Sequence, residues 1–386
     1  MFSILLIELL IVVFAQPAFG GGLGDTGSCE IIVNQGLGYG LNKSNGSMEP
    51  MQKFVAERMT GIFIPASKEE YEAYQNADHK LTVTGNGETW FLHAGGYEEE
   101  AGLVDFTSED LEWKAGIYHL KTDIGNGQIE RTIKVRDMKD IHVLIVPMKS
   151  CYSGTVFDAV EISDTLDDFS RKVFPLGKND LDWSCYPHVL NLSGKSYDLD
   201  TYIGRFRVWR SLSNLQEKEN TYDLIVGLLP KNMAVDKTER ISKGNGSISG
   251  FTYCDPALLV SVQGSSPAVT IAHEIGHCYE LGDEYPFGMV NLNKNMIPYK
   301  MSGTNMKNVM ENVTGSCIYV KGGAGDDHQG AGTVVTSEQL PFDIETGELI
   351  QRTMTSYMGL ADYDETEYWM TTDTWNSVYD ALVLDE

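Results

Sequence analysis

Two histidines, His273 and His277, stand four residues apart in the stretch SSPAVTIAHEIGHCYELGDEY, which covers residues 265–285. On an α-helix this spacing places both imidazoles on one face, one turn apart. Glu274 follows the first histidine and points about 100° round the helix, near the pair but not in line with it. This is the H-E-x-x-H arrangement, in which two nitrogens bind zinc and a carboxylate acts as general base. The pattern therefore predicts a zinc site.

The helix that must carry these residues has recognisable ends. Ser266 can cap the free amides, and Pro267 fixes φ at the first helical position. From Ala268 to Leu281 the one helix breaker is Gly276, and Gly282 is placed to end the helix in a left-handed turn. The sequence thus predicts a capped helix that extends to about residue 281.

A third metal ligand is expected, because a catalytic zinc takes three protein ligands and leaves one position for water. Asp283, ten residues after His273 and just beyond the predicted turn, is the preferred candidate. Glu284 is the next candidate, and Glu280 would have to reach along the helix. The alternative for Asp283 is a turn carboxylate that accepts hydrogen bonds from nearby backbone amides.

The run HEIGHCYELGDEY is similar to the active-site stretch of the IgA-peptidase-like metalloendopeptidases, which carry Asp-Glu-Tyr shortly after the zinc helix. More broadly, H-E-x-x-H with a further ligand ten positions on resembles the metzincin pattern, here with Asp283 where most members have histidine. The metzincin glycine three residues after the second histidine is Glu280 in this chain, and the glycine comes at Gly282.

The resemblance extends downstream and covers roughly residue 141 to the C-terminus. Ser356-Tyr357-Met358-Gly359 looks like a metzincin Met-turn, whose methionine forms a floor under the metal. A final helix follows in that family, and here it is indicated by apolar residues at helical spacing, namely Trp375, Val378, Tyr379 and Leu382. The resemblance implies a zincin-like catalytic domain.

The preferred hypothesis is a secreted zinc-dependent endopeptidase that acts on a protein or peptide substrate. In it His273, His277 and Asp283 hold Zn²⁺, and Glu274 transfers a proton from the attacking water to the departing amine. Tyr357 or Tyr285 is a candidate to stabilise the oxyanion. One alternative is a cell-surface adhesion or binding protein with an inactive, zinc-stabilised peptidase-like domain, and another is zinc hydrolysis of a non-peptide bond. The intact Glu274 favours catalysis. Oligomeric state is not predicted.

Residues 1–20 resemble a signal peptide. Ile4 to Ala15 is apolar apart from Glu8, but it is shorter than the roughly 20 residues that a membrane-spanning helix needs. Ala18 and Gly20 supply the small residues that a signal peptidase reads. We therefore expect export to the extracellular space or cell surface, with no membrane span in the mature chain.

Residues 27–138 predict an all-β domain of immunoglobulin-like sandwich type. Gly85-Asn86-Gly87 lies between alternating stretches and signals a hairpin, and Ile117–Ile124 followed by Gln128–Arg136 predicts another. A single helix is indicated at Lys68–Asn76, and Trp113 and Tyr118 are candidate core anchors. The charged stretch at 136–140 marks the expected boundary.

Residues 139–386 predict an α/β (α+β) catalytic domain. Its expected elements, in order, are a buried strand at Ile141–Pro147, helices at Val160–Phe174 and Thr201–Leu215, a buried strand at Tyr222–Leu229 and an edge strand at Ala257–Val262. An edge strand just before the zinc helix would let an extended peptide pair with the sheet.

The charge composition of the chain disfavours two classes of binding partner. The chain has 55 acidic residues against 29 Lys and Arg, a formal net charge of −26, which disfavours binding to nucleic acid or to anionic lipid. Six cysteines in an exported chain predict up to three disulfides, and glycosylation acceptors occur at Asn42, Asn45, Asn191, Asn245 and Asn312. A solvated loop is the preferred interpretation for Asp326, Asp327 and His328, and the alternatives are binding of Ca²⁺, of a second zinc or of substrate; the same Ca²⁺ alternative applies to the acidic residues at 362–367.

Overall fold

The computed structural model describes residues 30–41, 47–76, 80–108, 110–124, 127–150, 159–197, 202–219, 221–229, 250–252, 257–261, 267–279, 281, 334–352, 354–358 and 368–384 of the 386-residue chain. In these residues the fold is mixed α/β and consists mostly of β-sheets. Among them, no helix is both long and apolar enough to cross a lipid bilayer.

The described residues from 30 to 136, called the first half below, contain one helix and eleven strands. In chain order they are β1 (Ile32–Asn34), β2 (Tyr39–Leu41), β3 (Met48–Pro50), β4 (Phe54–Val55), β5 (Gly61–Pro65), β6 (Leu81–Gly85), β7 (Glu88–Leu92), β8 (Gly96–Glu98), β9 (Leu103–Asp105), β10 (Gly116–Ile124) and β11 (Gly127–Arg136). They form a four-stranded sheet of order β1-β5-β9-β8, a five-stranded sheet of order β4-β11-β10-β6-β7, and the pair β2-β3. Of these pairs, β4–β11 is parallel and the others are antiparallel.

The local predictions for this half are confirmed. Asn86 and Gly87 have φ of 52° and 81° in the turn between β6 and β7, as a tight hairpin requires. Helix α1 (Lys68–Asn76) begins at a capping box in which Ser67 and Glu70 each bond to the other's backbone amide. Trp113 and Tyr118 are buried with ring centroids 4.8 Å apart.

The described residues from 139 onward, called the second half below, centre on a six-stranded sheet. Its strands have the order β13-β12-β15-β17-β16, with β14 also paired to β12. Its strands are β12 (Ile141–Ser150), β13 (Leu181–Cys185), β14 (Leu190–Leu192), β15 (Leu224–Leu229), β16 (Gly250–Thr252) and β17 (Ala257–Ser261). All pairs are parallel except β16–β17. The helices of this region are α2 (Ala159–Val173), α3 (Tyr202–Glu219) and α4 (Pro267–Cys278).

The edge-strand prediction for Ala257–Val262 was wrong. β17 lies between β15 and β16, and the short antiparallel β16 is the outermost of the described strands on that side. The reason is the composition of the two segments, because the apolar run ALLVS suits a strand that is paired on both sides. A three-residue strand with a glycine is the kind of segment that proteins place at an edge.

The helices cover the two faces of this sheet. Ile141, Val143 and Ile145 of β12 join a hydrophobic cluster with residues of α2 and α4. The alternate residues Leu144 and Val146 join a second cluster with α3. Because successive side chains of a strand point to opposite faces, α2 and α4 lie on one face of the sheet and α3 on the other.

The chain ends in small sheets and a helix. These elements are β18 (Val334–Val335), β19 (Phe342–Asp343), β20 (Glu348–Leu349), β21 (Met354–Ser356), β22 (Tyr368–Trp369) and α5 (Thr372–Leu382), with short 3₁₀ helices at Lys195–Tyr197 and Ser337–Gln339. The strands form a sheet of order β18-β21-β22 and the pair β19-β20. Helix α5 matches the predicted final helix, since its four apolar residues are all buried.

The hydrophobic core is continuous across the expected boundary at residue 138. The main cluster contains Phe54 and Val135 from the first half together with Ile145 and Trp375 from the second. The division into two domains therefore stays a prediction, and any two such domains would share an apolar interface.

Candidate metal centre

Helix α4 carries the H-E-x-x-H residues into the interior of the protein. His273, Glu274 and His277 are 7%, 4% and 3% exposed. The helix packs against α2, β16 and β17, so its polar side chains are enclosed on several sides. Buried polar groups need partners, because an unsatisfied one costs about 1–3 kcal/mol.

Each imidazole is oriented by a backbone carbonyl. The Nδ1 atom of His273 lies 3.2 Å from the carbonyl oxygen of Tyr357, and that of His277 lies 2.8 Å from the carbonyl oxygen of Leu281. A carbonyl oxygen only accepts hydrogen bonds, so each Nδ1 must carry the hydrogen and donate it. In a neutral ring, Nε2 then presents an unprotonated lone pair.

These two lone-pair atoms face each other. The Nε2 atoms of His273 and His277 are 3.1 Å apart, and the ring planes meet at 87°. Two acceptors at this distance repel unless a proton or a metal ion lies between them. Two nitrogens that share a tetrahedral zinc at about 2.0–2.1 Å are separated by about 3.3 Å. The observed spacing of the two nitrogens is therefore close to that of two ligands of one zinc ion.

Glu274 completes the cluster. One ligand atom from each of His273, Glu274 and His277 can be chosen so that all lie within 4.8 Å of one another. Among the described residues, this is the one group of three His, Cys, Asp or Glu side chains close enough to hold a metal ion. The carboxylate is therefore near the imidazole nitrogens, and a separation of up to 4.8 Å is one that a single water molecule could bridge.

The segment that resembles a Met-turn lies against the same helix. Tyr357 and Met358 are fully buried, and the amide of Met358 donates to Ser356 Oγ at 3.2 Å. A Cβ atom at Gly276 would lie 2.5 Å from Met358 Sδ. The methionine therefore packs on the turn of α4 between the two histidines, and glycine is the residue that leaves room for it.

The end of α4 differs from the sequence prediction. The helix ends at Cys278 and does not continue to Leu281. The Leu281 amide donates to the Gly276 carbonyl at 3.1 Å, which is the bond that closes a helix in a Schellman-type turn. Leu281 is buried, and its own carbonyl is the acceptor for His277. The early turn thus supplies the partner that orients the second imidazole.

The predicted third ligand lies outside the described residues. This applies to Asp283, to the alternatives Glu284 and Glu280, and to Tyr285. Their assignments stay predictions. Tyr357 contributes its carbonyl to His273, while its ring packs edge-on against Phe174 with centroids 5.7 Å apart.

The cysteine predictions are largely untested. Cys185 and Cys278, the two cysteines in the described part of the chain, are not joined to each other. The other four cysteines lie outside it, as do the acidic segments considered for Ca²⁺. The Cys278 thiol lies 3.7 Å from the Glu274 carbonyl oxygen. Of the glycosylation acceptors, Asn191 is described and exposed.

Sequence reasoning found the three side chains of the cluster but missed the groups that orient them. Two of these are main-chain carbonyls, of Tyr357 and Leu281, and carbonyls carry no residue-type signal. Gly276 appeared only as a weak helix breaker, although H-E-x-G-H beside a downstream methionine is a signal that could have identified the contact.

Comparison of the chain with protein-family models and with curated proteins finds no match. The function has to be inferred from the site itself.

Proposed function

We propose that the chain is a secreted zinc-dependent endopeptidase. His273 and His277 are metal ligands in this proposal, Asp283 is the third ligand, and Glu274 is the general base. The observation that supports it most strongly is the buried pair of Nε2 atoms 3.1 Å apart, in rings whose Nδ1 atoms each lie against a backbone carbonyl. Such an arrangement is costly without a cation and is well suited to binding one.

The residues of the site fit the chemistry of peptide hydrolysis. Zinc, when bound, polarises a carbonyl and makes a water nucleophilic at neutral pH. Glu274 would accept the proton of that water and return it to the departing amine. The carbonyls of Tyr357 and Leu281 hold the imidazoles in the tautomer that leaves Nε2 available. Burial of all three side chains limits bulk water and strengthens the electrostatic interactions among them.

The surrounding fold supports the same proposal. A largely parallel sheet with α4 following its last strand agrees with a zincin-like catalytic domain, and the two sheets of the first half agree with an immunoglobulin-like sandwich. The antiparallel edge strand β16 contacts α4, so an extended peptide paired to that edge would run beside the histidines.

The test is metal content measured beside peptide hydrolysis. We expect about one zinc per chain and cleavage of casein that stops with a chelator and returns with added zinc. Glu274→Gln should retain the zinc and lose at least about 10²-fold in rate. Glu69→Gln, a change at an exposed glutamate on α1, is the matched control and should leave both unchanged. A zinc-bound parent without any hydrolysis would favour the adhesion alternative, and full activity in Glu274→Gln would refute the mechanism.

A further inference from the structure

Arg58 is an almost fully buried cation that the proposed chemistry does not use. It is 3% exposed, and within the described part of the chain its guanidinium donates to four backbone carbonyls. Nε lies 2.8 Å from the Gln35 oxygen, Nη1 lies 2.6 Å from that of Arg171 and 2.9 Å from that of Leu176, and Nη2 lies 2.9 Å from that of Lys172. The guanidinium group thus binds a set of carbonyls that belong to both halves of the chain.

Three of these carbonyls come from the end of α2 and the residues that follow it. The last carbonyls of a helix have no partner within the helix, and the helix dipole makes this end negative. A cation at this end can donate hydrogen bonds to these carbonyls and interacts favourably with the negative end of the dipole. Burial lowers the pKa of Arg58 to about 9, which still leaves the guanidinium charged at neutral pH. Arg58 therefore caps α2 from the first half of the chain.

The residue that follows α2 is connected to the proposed metal centre through Tyr357. Phe174 follows the last residue of α2, and its ring meets the ring of Tyr357 edge-on at 5.7 Å and 86°. The Tyr357 carbonyl accepts the Nδ1 hydrogen of His273. Helix α2 also packs directly on α4, which carries that histidine. A shift of the α2 terminus would thus be transmitted to the imidazole by two routes.

We propose that Arg58 is a positioning residue of the metal centre, acting through the end of α2, Phe174 and Tyr357 on the orientation of His273. This inference rests on the proposed metal site. It gives the first half of the chain a defined role, since that half supplies the group that fixes the helix beside the zinc ligands. Trp375 of α5, whose ring lies 5.0 Å from the guanidinium carbon, encloses the same arginine.

The test compares the buried Arg58 with the half-buried Arg131 in the full-length chain. Arg131 also donates to two carbonyls, of Ile31 and Met51, and lies over the Phe54 ring, but these contacts are all within the first half. We expect Arg58→Met to weaken zinc binding about tenfold, the lower range for the loss of an outer-shell partner. Arg131→Met should stay within about twofold of the parent, and Arg58→Lys should recover part of the loss. Affinity is measured by competition with a chromophoric chelator, at a temperature where circular dichroism shows each variant folded.

The variant Phe174→Leu and a measurement of the His273 tautomer test the proposal if Arg58→Met does not fold or if no zinc is bound. Should Arg58→Met not fold, Phe174→Leu keeps the arginine and removes the ring contact with Tyr357, and it should weaken zinc binding to a similar degree. In the metal-free chain, ¹⁵N NMR of the imidazoles should show His273 mainly as the Nδ1-H tautomer in the parent and as a mixture in Arg58→Met or Phe174→Leu.

The failures are distinguishable. A parent that takes up no zinc defeats the proposed function, while the tautomer measurement still decides the role of Arg58. The positioning role is wrong if Arg58→Met binds zinc as tightly as the parent and its His273 keeps the tautomer of the parent. If Arg58→Met does not fold, the same two results in Phe174→Leu overturn the role. An equal loss of affinity in Arg131→Met does so as well.

Discussion

The side chains of His273 and His277 meet Nε2 to Nε2 at 3.1 Å, while the other nitrogen of each ring donates to a carbonyl. The Nδ1–carbonyl contacts and the Nε2–Nε2 contact are linked, because a hydrogen bond from Nδ1 to a carbonyl leaves Nε2 of a neutral ring without a hydrogen. A shared cation turns an unfavourable contact into a stabilising one.

Gly276→Ala should destabilise the protein and weaken metal binding. The new Cβ would lie 2.5 Å from Met358 Sδ, and overpacking of this kind costs about 1–3 kcal/mol. The higher helix propensity of alanine offsets about 1 kcal/mol of this cost, so we expect a net loss of up to about 2 kcal/mol in the free energy of unfolding by urea. Combining it with Met358→Ala should cost less than the two separate losses added together. Additive losses would show that the two side chains do not collide.

Gly87→Ala should cost about 1 kcal/mol through backbone conformation alone. Gly87 has a φ of 81° in the β6–β7 turn, and a Cβ there would meet nothing within 4 Å. Gly96→Ala is the matched control, because its Cβ also meets nothing within 4 Å and its φ is not in the left-handed region. Denaturant unfolding measures both. Equal losses in the two variants would contradict the assigned turn.

Asp223→Asn should remove a stabilising contribution that depends on pH. Burial acts to raise the pKa of Asp223, but hydrogen bonds from the His142 amide and Lys139 outweigh it and hold the pKa below its usual value. A lowered carboxyl pKa stabilises the fold above the unfolded value of about 3.9 and ceases to do so as pH falls through the folded value.

The expected difference between parent and Asp223→Asn is therefore less than about 1 kcal/mol at pH 7, since the ion pair is partly exposed. The difference should shrink as pH falls below the unfolded carboxyl pKa of about 3.9 and Asp223 takes up a proton. Urea unfolding at pH 7 and at lower pH is the measurement, and a difference that does not shrink would contradict the sign.

Sequence patterns were most informative where local chemistry is repeated. The spacing of His273 and His277, the apolar face that begins at Trp375, and the Asn86-Gly87 turn each predicted the observed local structure. These features depend on a few neighbouring residues, so periodicity and turn preferences were sufficient to predict them.

What sequence could not predict depends on contacts between distant segments. The place of β17 inside the sheet depends on β16 folding back beside it, and the end of α4 depends on where the Leu281 side chain can be buried. The acceptor for His273 is a carbonyl 84 positions away. Arg58 is a similar case, because nothing in its own neighbourhood marks it as the cap of a helix more than a hundred residues later.

The most direct test of the central claim is zinc bound per chain in the parent, His273→Ala and His277→Ala. His93→Ala, at an exposed histidine of the first half, is the control. We predict about one zinc in the parent and the control, with imidazole nitrogens at about 2.0–2.1 Å by X-ray absorption, and almost none in the two site variants. A parent that binds no zinc, or site variants that retain it, would contradict the claim that these two histidines share a metal ion.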